Sequence, residues 1–185
     1  MIKLNNERNA EIGRGGSYRT TLVSLYDKSY DEIVDNLSDT MNSLAKIRVS
    51  SSPANQAILL GDVWRSTDNA QSLLAQLPVH GGISSSILNF VTQMGDYCFM
   101  LAKKVSGNQP LTDQDYEQLA ALEEQCRQVT DALRQEKQEG IAWDLDNPNL
   151  YSAELDGSVK LLGAEISESL ENYPKLIYDG PFSET

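Results

Sequence analysis

What most constrains this chain is the spacing of its apolar residues, which recur mostly three and four positions apart. No sustained period-two run rich in β-branched residues occurs, apart from the short Leu176-Ile177-Tyr178. The stretch Leu119, Leu122, Cys126, Val129, Leu133 keeps a 3-4-3-4 step, which lines one face of a helix like the seam of a coiled coil. Such a stripe is buried by packing against further helices, so the expected fold class is all-α.

The same spacing divides the chain. Leu22, Tyr26, Ile33, Leu37, Met41 and Leu44 mark a long amphipathic helix that ends near Ser50. Before it stands Gly13-Arg14-Gly15-Gly16, and glycine disfavours helix, so residues 1–16 are expected to be a flexible lead-in or an expression remnant. Ser51-Ser52-Pro53 reads as the start of a second helix, because proline at the first helical position lacks only a donor that would be orphaned anyway. That helix carries Ile58, Trp64, Leu73, Leu74 and Leu77 and stops at Pro78, with Gly81-Gly82 as the turn. A third, from near Ser84, presents Ile87, Phe90, Val91, Met94, Tyr97, Cys98, Leu101 and Val105, and ends at Gly107-Asn108-Gln109-Pro110. Thr112, followed by Asp113 and Asp115, caps the fourth. After Gly140 and a polar loop, Leu155, Val159, Leu162, Ile166 and Leu170 point to a fifth, C-terminal helix, which Gly157 and Gly163 weaken. Long helices joined by short turns pack as antiparallel neighbours. Residues 17–139 are therefore expected to form an antiparallel up-and-down bundle of four long helices, and residues 140–185 a loop, the fifth helix and a linker.

Charge and composition exclude several kinds of work. A net charge of −12 leaves no basic face for phosphate, which argues against nucleic acid. The longest apolar runs, such as Ala57 to Leu60, fall far short of the ~20 residues that span a bilayer. The polar start, Met1 to Gly16, lacks the apolar stretch of a signal peptide. The single histidine, His80, lies in a turn without a partner at ligand spacing. Ser84-Ser85-Ser86 reads as helix-start chemistry rather than a nucleophile. The acid pairs Asp31/Asp35, Glu123/Glu124 and Glu165/Glu168 read as solvated faces, since paired-carboxylate catalysis needs two acids held across a cleft. No catalytic site, cofactor or metal is expected, and the chain is read as a non-enzyme.

Four polar or aromatic positions stand out as partner-binding or structural candidates: Trp64, Arg65, Asp96 and Tyr97. Trp64 is expected in the core, with a recognition hot spot as the alternative. Asp96, after Gly95, is read as a polar group at a close helix crossing where it would meet Arg65. If the third and fourth helices form a hairpin, Cys98 and Cys126 fall at nearly the same level, as two buried thiols or a disulfide, with the thiols favoured.

Several runs together resemble a known family. Val63-Trp64-Arg65, Asn69-Ala70-Gln71 and Gln76-Leu77-Pro78 look like the second helix of the YpeB family of spore-germination proteins. Gln93-Met94-Gly95-Asp96-Tyr97, Leu101-Ala102-Lys103-Lys104 and Pro110-Leu111-Thr112 are similar to its next segment. The run from Tyr173 to Glu184 resembles the end of the family's helical region and is the most specific part of a likeness that extends from Tyr18 onward. The resemblance implies a protein at the outer face of the spore inner membrane, held by an N-terminal helix and followed by C-terminal PepSY domains, both absent from this chain. It implies a partner, the cortex-lytic enzyme SleB, which family members stabilise in the dormant spore and restrain until germination. Self-association and, as an alternative function, an extracytoplasmic sensor with a ligand cavity lined by Arg65, Asp96 or Tyr97 complete the expectations.

Overall fold

A computed structural model describes the backbone of residues 2–77, 82–141, 143 and 145, and the side chains of 15–77, 86–141, 143 and 145. All regular structure among these described residues is helical: α1 (Ile2–Val49), α2 (Pro53–Leu74), α3 (Gly82–Ser106) and α4 (Asp113–Glu139). The expected fifth helix, His80 and the run from Tyr173 to Glu184 lie outside the described residues.

Local chemistry sets most helix ends. Ser52 caps α2 with Pro53 in the first turn. Thr112 caps α4 through a capping box: its hydroxyl accepts the Asp115 N–H at 3.2 Å, and the Asp115 carboxylate accepts the Thr112 N–H at 2.7 Å. Asn108, at φ +60°, makes the left-handed turn after α3, a conformation asparagine tolerates better than most residues.

Helix α1 begins at Ile2, within residues 1–16 that the glycines mark as a lead-in. It passes through Gly13–Gly16 unbroken. A glycine costs a helix about 1 kcal/mol relative to alanine, which weakens the helix without forbidding it. The hydroxyls of Thr20 and Thr21 fold back onto the carbonyls of Gly16 and Ser17, at 3.0 and 2.9 Å, and stay compatible with the helix.

Each helix buries one stripe at three- and four-residue steps. In α1 it is Tyr30, Ile33, Leu37, Thr40, Leu44 and Ile47, and in α4 Asp115, Leu119, Leu122, Cys126, Val129 and Leu133. In α2 it is Gln56, Leu60, Val63, Thr67, Ala70 and Leu74, continued just past the helix by Leu77. This corrects the predicted α2 face, for Ile58 is 63% exposed and Trp64 43% exposed. Size and hydrophobicity had singled those two out, yet the periodicity leaves them off the stripe.

Helix α2 packs on both α1 and α3, and α4 packs on α1. The Leu37 carbonyl accepts the Cys126 thiol at 3.5 Å, whereas Tyr30 reaches Leu133 at 2.9 Å, so α4 runs counter to α1. Gly95 meets Thr67 while Phe99 stacks on Trp64, so α3 likewise runs counter to α2.

Candidate interaction surface

The exposed Trp64 does not stand alone. From the next helix Phe99 stacks on it, with ring centroids 5.1 Å apart and planes 29° from parallel. One turn further along α3, the Lys103 ammonium sits 4.4 Å from the Phe99 centroid, a cation held over an aromatic face. Phe99 and Met100 are each 36% exposed, so apolar area with one cation faces outward along the α2–α3 seam. Phe99 and Lys103 were missed from sequence because they lie off the apolar stripe; their i,i+4 spacing was the available signal.

Arg65 turns away from the predicted partner. Its guanidinium pairs with Asp62 at 2.6 Å, one turn back on the same helix, and no ion pair joins it to Asp96 among the described residues. An intrahelical pair needs no tertiary approach, so Arg65 stays in solvent.

The close crossing expected near Gly95 is present. A β-carbon there would lie 2.4 Å from the Thr67 hydroxyl oxygen and 3.3 Å from the Thr67 β-carbon. The Thr67 hydroxyl is itself held by the Val63 and Trp64 carbonyls at 2.9 and 2.8 Å. The residue that carries the stack, Trp64, is therefore fixed from below by a close crossing of α2 and α3.

Tyr97 points inward, its hydroxyl 3.4 Å from the Asp115 carboxylate. That carboxylate also accepts the Lys104 ammonium at 2.6 Å and the Thr112 hydroxyl at 2.8 Å. Burial pushes the Asp115 pKa up, but the hydrogen bonds from Lys104 and Thr112 outweigh it and hold the carboxyl below the usual carboxylate range. Tyr97, Lys104 and Asp115 thus fasten the α3–α4 turn, a structural task.

Cys98 and Cys126 are both free and buried. Burial pushes both thiols up, Cys126 to about 12, and the neighbouring Cys126 raises Cys98 further. Burial thus disfavours the thiolate, the reactive form, at both positions.

A second aromatic cluster lies where α4 ends. Trp143 packs on Tyr26 and Tyr30, with centroids 5.5 and 6.2 Å away, and its indole N–H donates to Asp27 at 2.6 Å. The Tyr30 hydroxyl lies 2.9 Å from the Leu133 carbonyl and 2.6 Å from the Glu136 carboxyl. One phenol proton cannot serve two acceptors, so both contacts are satisfied only when Glu136 keeps its own proton. Burial raises the Glu136 pKa, as does the nearby Glu139, against the lowering effect of the Tyr30 hydrogen bond. Periodicity gave no sign of Trp143, which follows Gly140 in a loop.

A groove of about 510 Å³ runs between α1 and α2, lined by Glu32, Asp35, Asn36, Asp39, Asn69, Ser72 and Leu73. It contains none of Arg65, Asp96 and Tyr97. Among the described residues no group of three His, Cys, Asp or Glu side chains is placed to hold a metal ion, and no helix is long and apolar enough to cross a membrane.

Comparison with known proteins returns one family. The model of the YpeB N-terminal region matches residues 15–143. The sporulation protein YpeB of Oceanobacillus iheyensis is 26% identical over 125 residues, which cover 64% of this chain and 27% of that protein. The match thus spans only about a quarter of the length of that curated relative. No solved structure matches.

Proposed function

This chain belongs to the YpeB N-terminal family, and on that premise we propose that it is a non-catalytic segment of a spore-germination protein. It binds, stabilises or restrains a spore cortex-lytic enzyme, a peptidoglycan hydrolase of the SleB type, until germination. Its place is the outer face of the spore inner membrane, as the family resemblance implies. Its four helices act as an antiparallel up-and-down bundle, a reading supported by the opposed directions of α1 and α4 and of α2 and α3.

The observation that carries the binding role is the outward Trp64, inside a run that resembles the family, stacked on Phe99 and anchored over Gly95. Tryptophan and arginine dominate binding hot spots, and a rigid aromatic loses little entropy when covered. The sensor alternative has less support, since Arg65 faces solvent and Tyr97 faces Asp115.

The test is a titration of the chain against purified cortex-lytic enzyme, with peptidoglycan turnover followed in parallel. Saturable binding that alters lysis is expected, and Trp64→Ala with Phe99→Ala should weaken it at least tenfold at unchanged helicity. No binding by a folded chain would sink the proposal. Binding indifferent to both substitutions would remove the Trp64 surface from it.

A further inference from the structure

We propose that the outward face of the α2–α3 seam pairs with the same face of a second copy of this chain, Lys103 of each copy meeting Asp68 of the other across the Trp64–Phe99 stack. The helical period sets the layout. Asp68 follows Trp64 by four residues on α2, and Lys103 follows Phe99 by four on α3, so each charge stands one turn past its aromatic ring, on the same side of its helix. Because α2 and α3 run counter to each other, the two turns lead in opposite directions. The charges therefore flank the stack, about 6 Å along the seam on either side of it. Asp96, three residues before Phe99, adds a second acid at the Asp68 end.

Such a patch is complementary to itself. A two-fold axis lying in the plane of contact, at right angles to the line from Lys103 to Asp68, carries each charge onto the position of the other. Both ion pairs then form at once, as in any two-fold interface where residue i meets j and j meets i. The charges are free to do so. Arg48, Lys104 and Lys137 reach acids on other elements of the fold, whereas Lys103 rests on the Phe99 ring. Among the described residues no cation pairs with Asp68 or Asp96. Exposed ion pairs alone add little, and the apolar centre they need is supplied by Trp64 and Phe99. Gly61, three residues before Trp64, leaves room for a close approach, since nothing lies within 4 Å of where its β-carbon would stand. The net charge of −12 on each copy opposes pairing, but at physiological salt exposed charges more than about 8 Å apart are largely screened, so the flanking charges decide. Self-pairing does not rest on the enzyme contact; where both occur, they compete for one surface.

Sedimentation equilibrium of the full chain over a series of concentrations, with no enzyme present, tests this. A monomer–dimer equilibrium is expected. Lys103→Asp or Asp68→Lys alone should weaken it roughly tenfold or more, because each sets like charges opposite one another. The double variant, Lys103→Asp with Asp68→Lys, should restore the dimer. Both positions are exposed, so helicity by circular dichroism should not change in any of the three. A chain that stays monomeric at every concentration would overturn the proposal. So would a dimer unmoved by either single variant, or one that the double variant fails to restore, since the rescue follows only from the crossed pairing of Lys103 with Asp68.

Discussion

Replacing Gly95 by alanine tests the close crossing of α2 and α3. The new β-carbon would lie 2.4 Å from the Thr67 hydroxyl oxygen, well inside contact distance. Thr67 has little freedom to yield, being β-branched and held by the Val63 and Trp64 carbonyls. Overpacking of this kind costs about 1–3 kcal/mol. Against it, alanine improves the helix by about 1 kcal/mol. Gly95→Ala alone should therefore destabilise the fold by roughly 0–2 kcal/mol, the difference of these two effects. In a Thr67→Ala background the oxygen is gone and the sign should turn, toward a gain of up to about 1 kcal/mol. Urea unfolding followed by far-ultraviolet circular dichroism reads the coupling between the two sites. At a slope of about 1–3 kcal/mol per molar, it corresponds to a midpoint difference on the order of 1 M. Additivity within about 0.5 kcal/mol would refute the close crossing. Tryptophan fluorescence adds a local readout, because the same β-carbon would lie 3.9 Å from the Trp64 ring.

Two further outcomes are expected. Leu122, 1% exposed on the α4 stripe, should cost about 2–5 kcal/mol when cut to alanine, and a chemical-denaturation shift near zero would refute its place in the core. Glu136 has a folded pKa raised above its ordinary 4.5, so its stabilising effect is full below that pH and is lost as pH rises through the folded value. Glu136→Gln should flatten this decline in a pH series of denaturation midpoints, and parallel curves for the two proteins would show that the buried carboxyl is not protonated in the fold.

The legible features were the local ones. Ser52-Pro53 and Thr112 act on donors within their own first turn, so their capping needs no distant residue. The α4 stripe was equally plain, because every position from Leu119 to Leu133 on it is apolar or cysteine. In α2 the same stripe includes Gln56, Thr67 and Ala70, and a search for large apolar residues found Ile58 and Trp64 on other faces. At the crossing itself a small residue is what the packing demands: Gly95 leaves room for Thr67.

By itself, then, the sequence determined the all-helical character of the described residues, most of their helix boundaries and the face that α4 buries, since these follow from backbone hydrogen bonding and a fixed helical period. Only the tertiary structure decided that Trp64 looks outward onto Phe99, that Arg65 keeps to Asp62, and that Trp143 folds back onto Tyr26 and Tyr30. Those outcomes depend on how far one helix is rotated against the next and where a loop returns. Both are settled by packing between residues distant in sequence, on which local periodicity has no bearing.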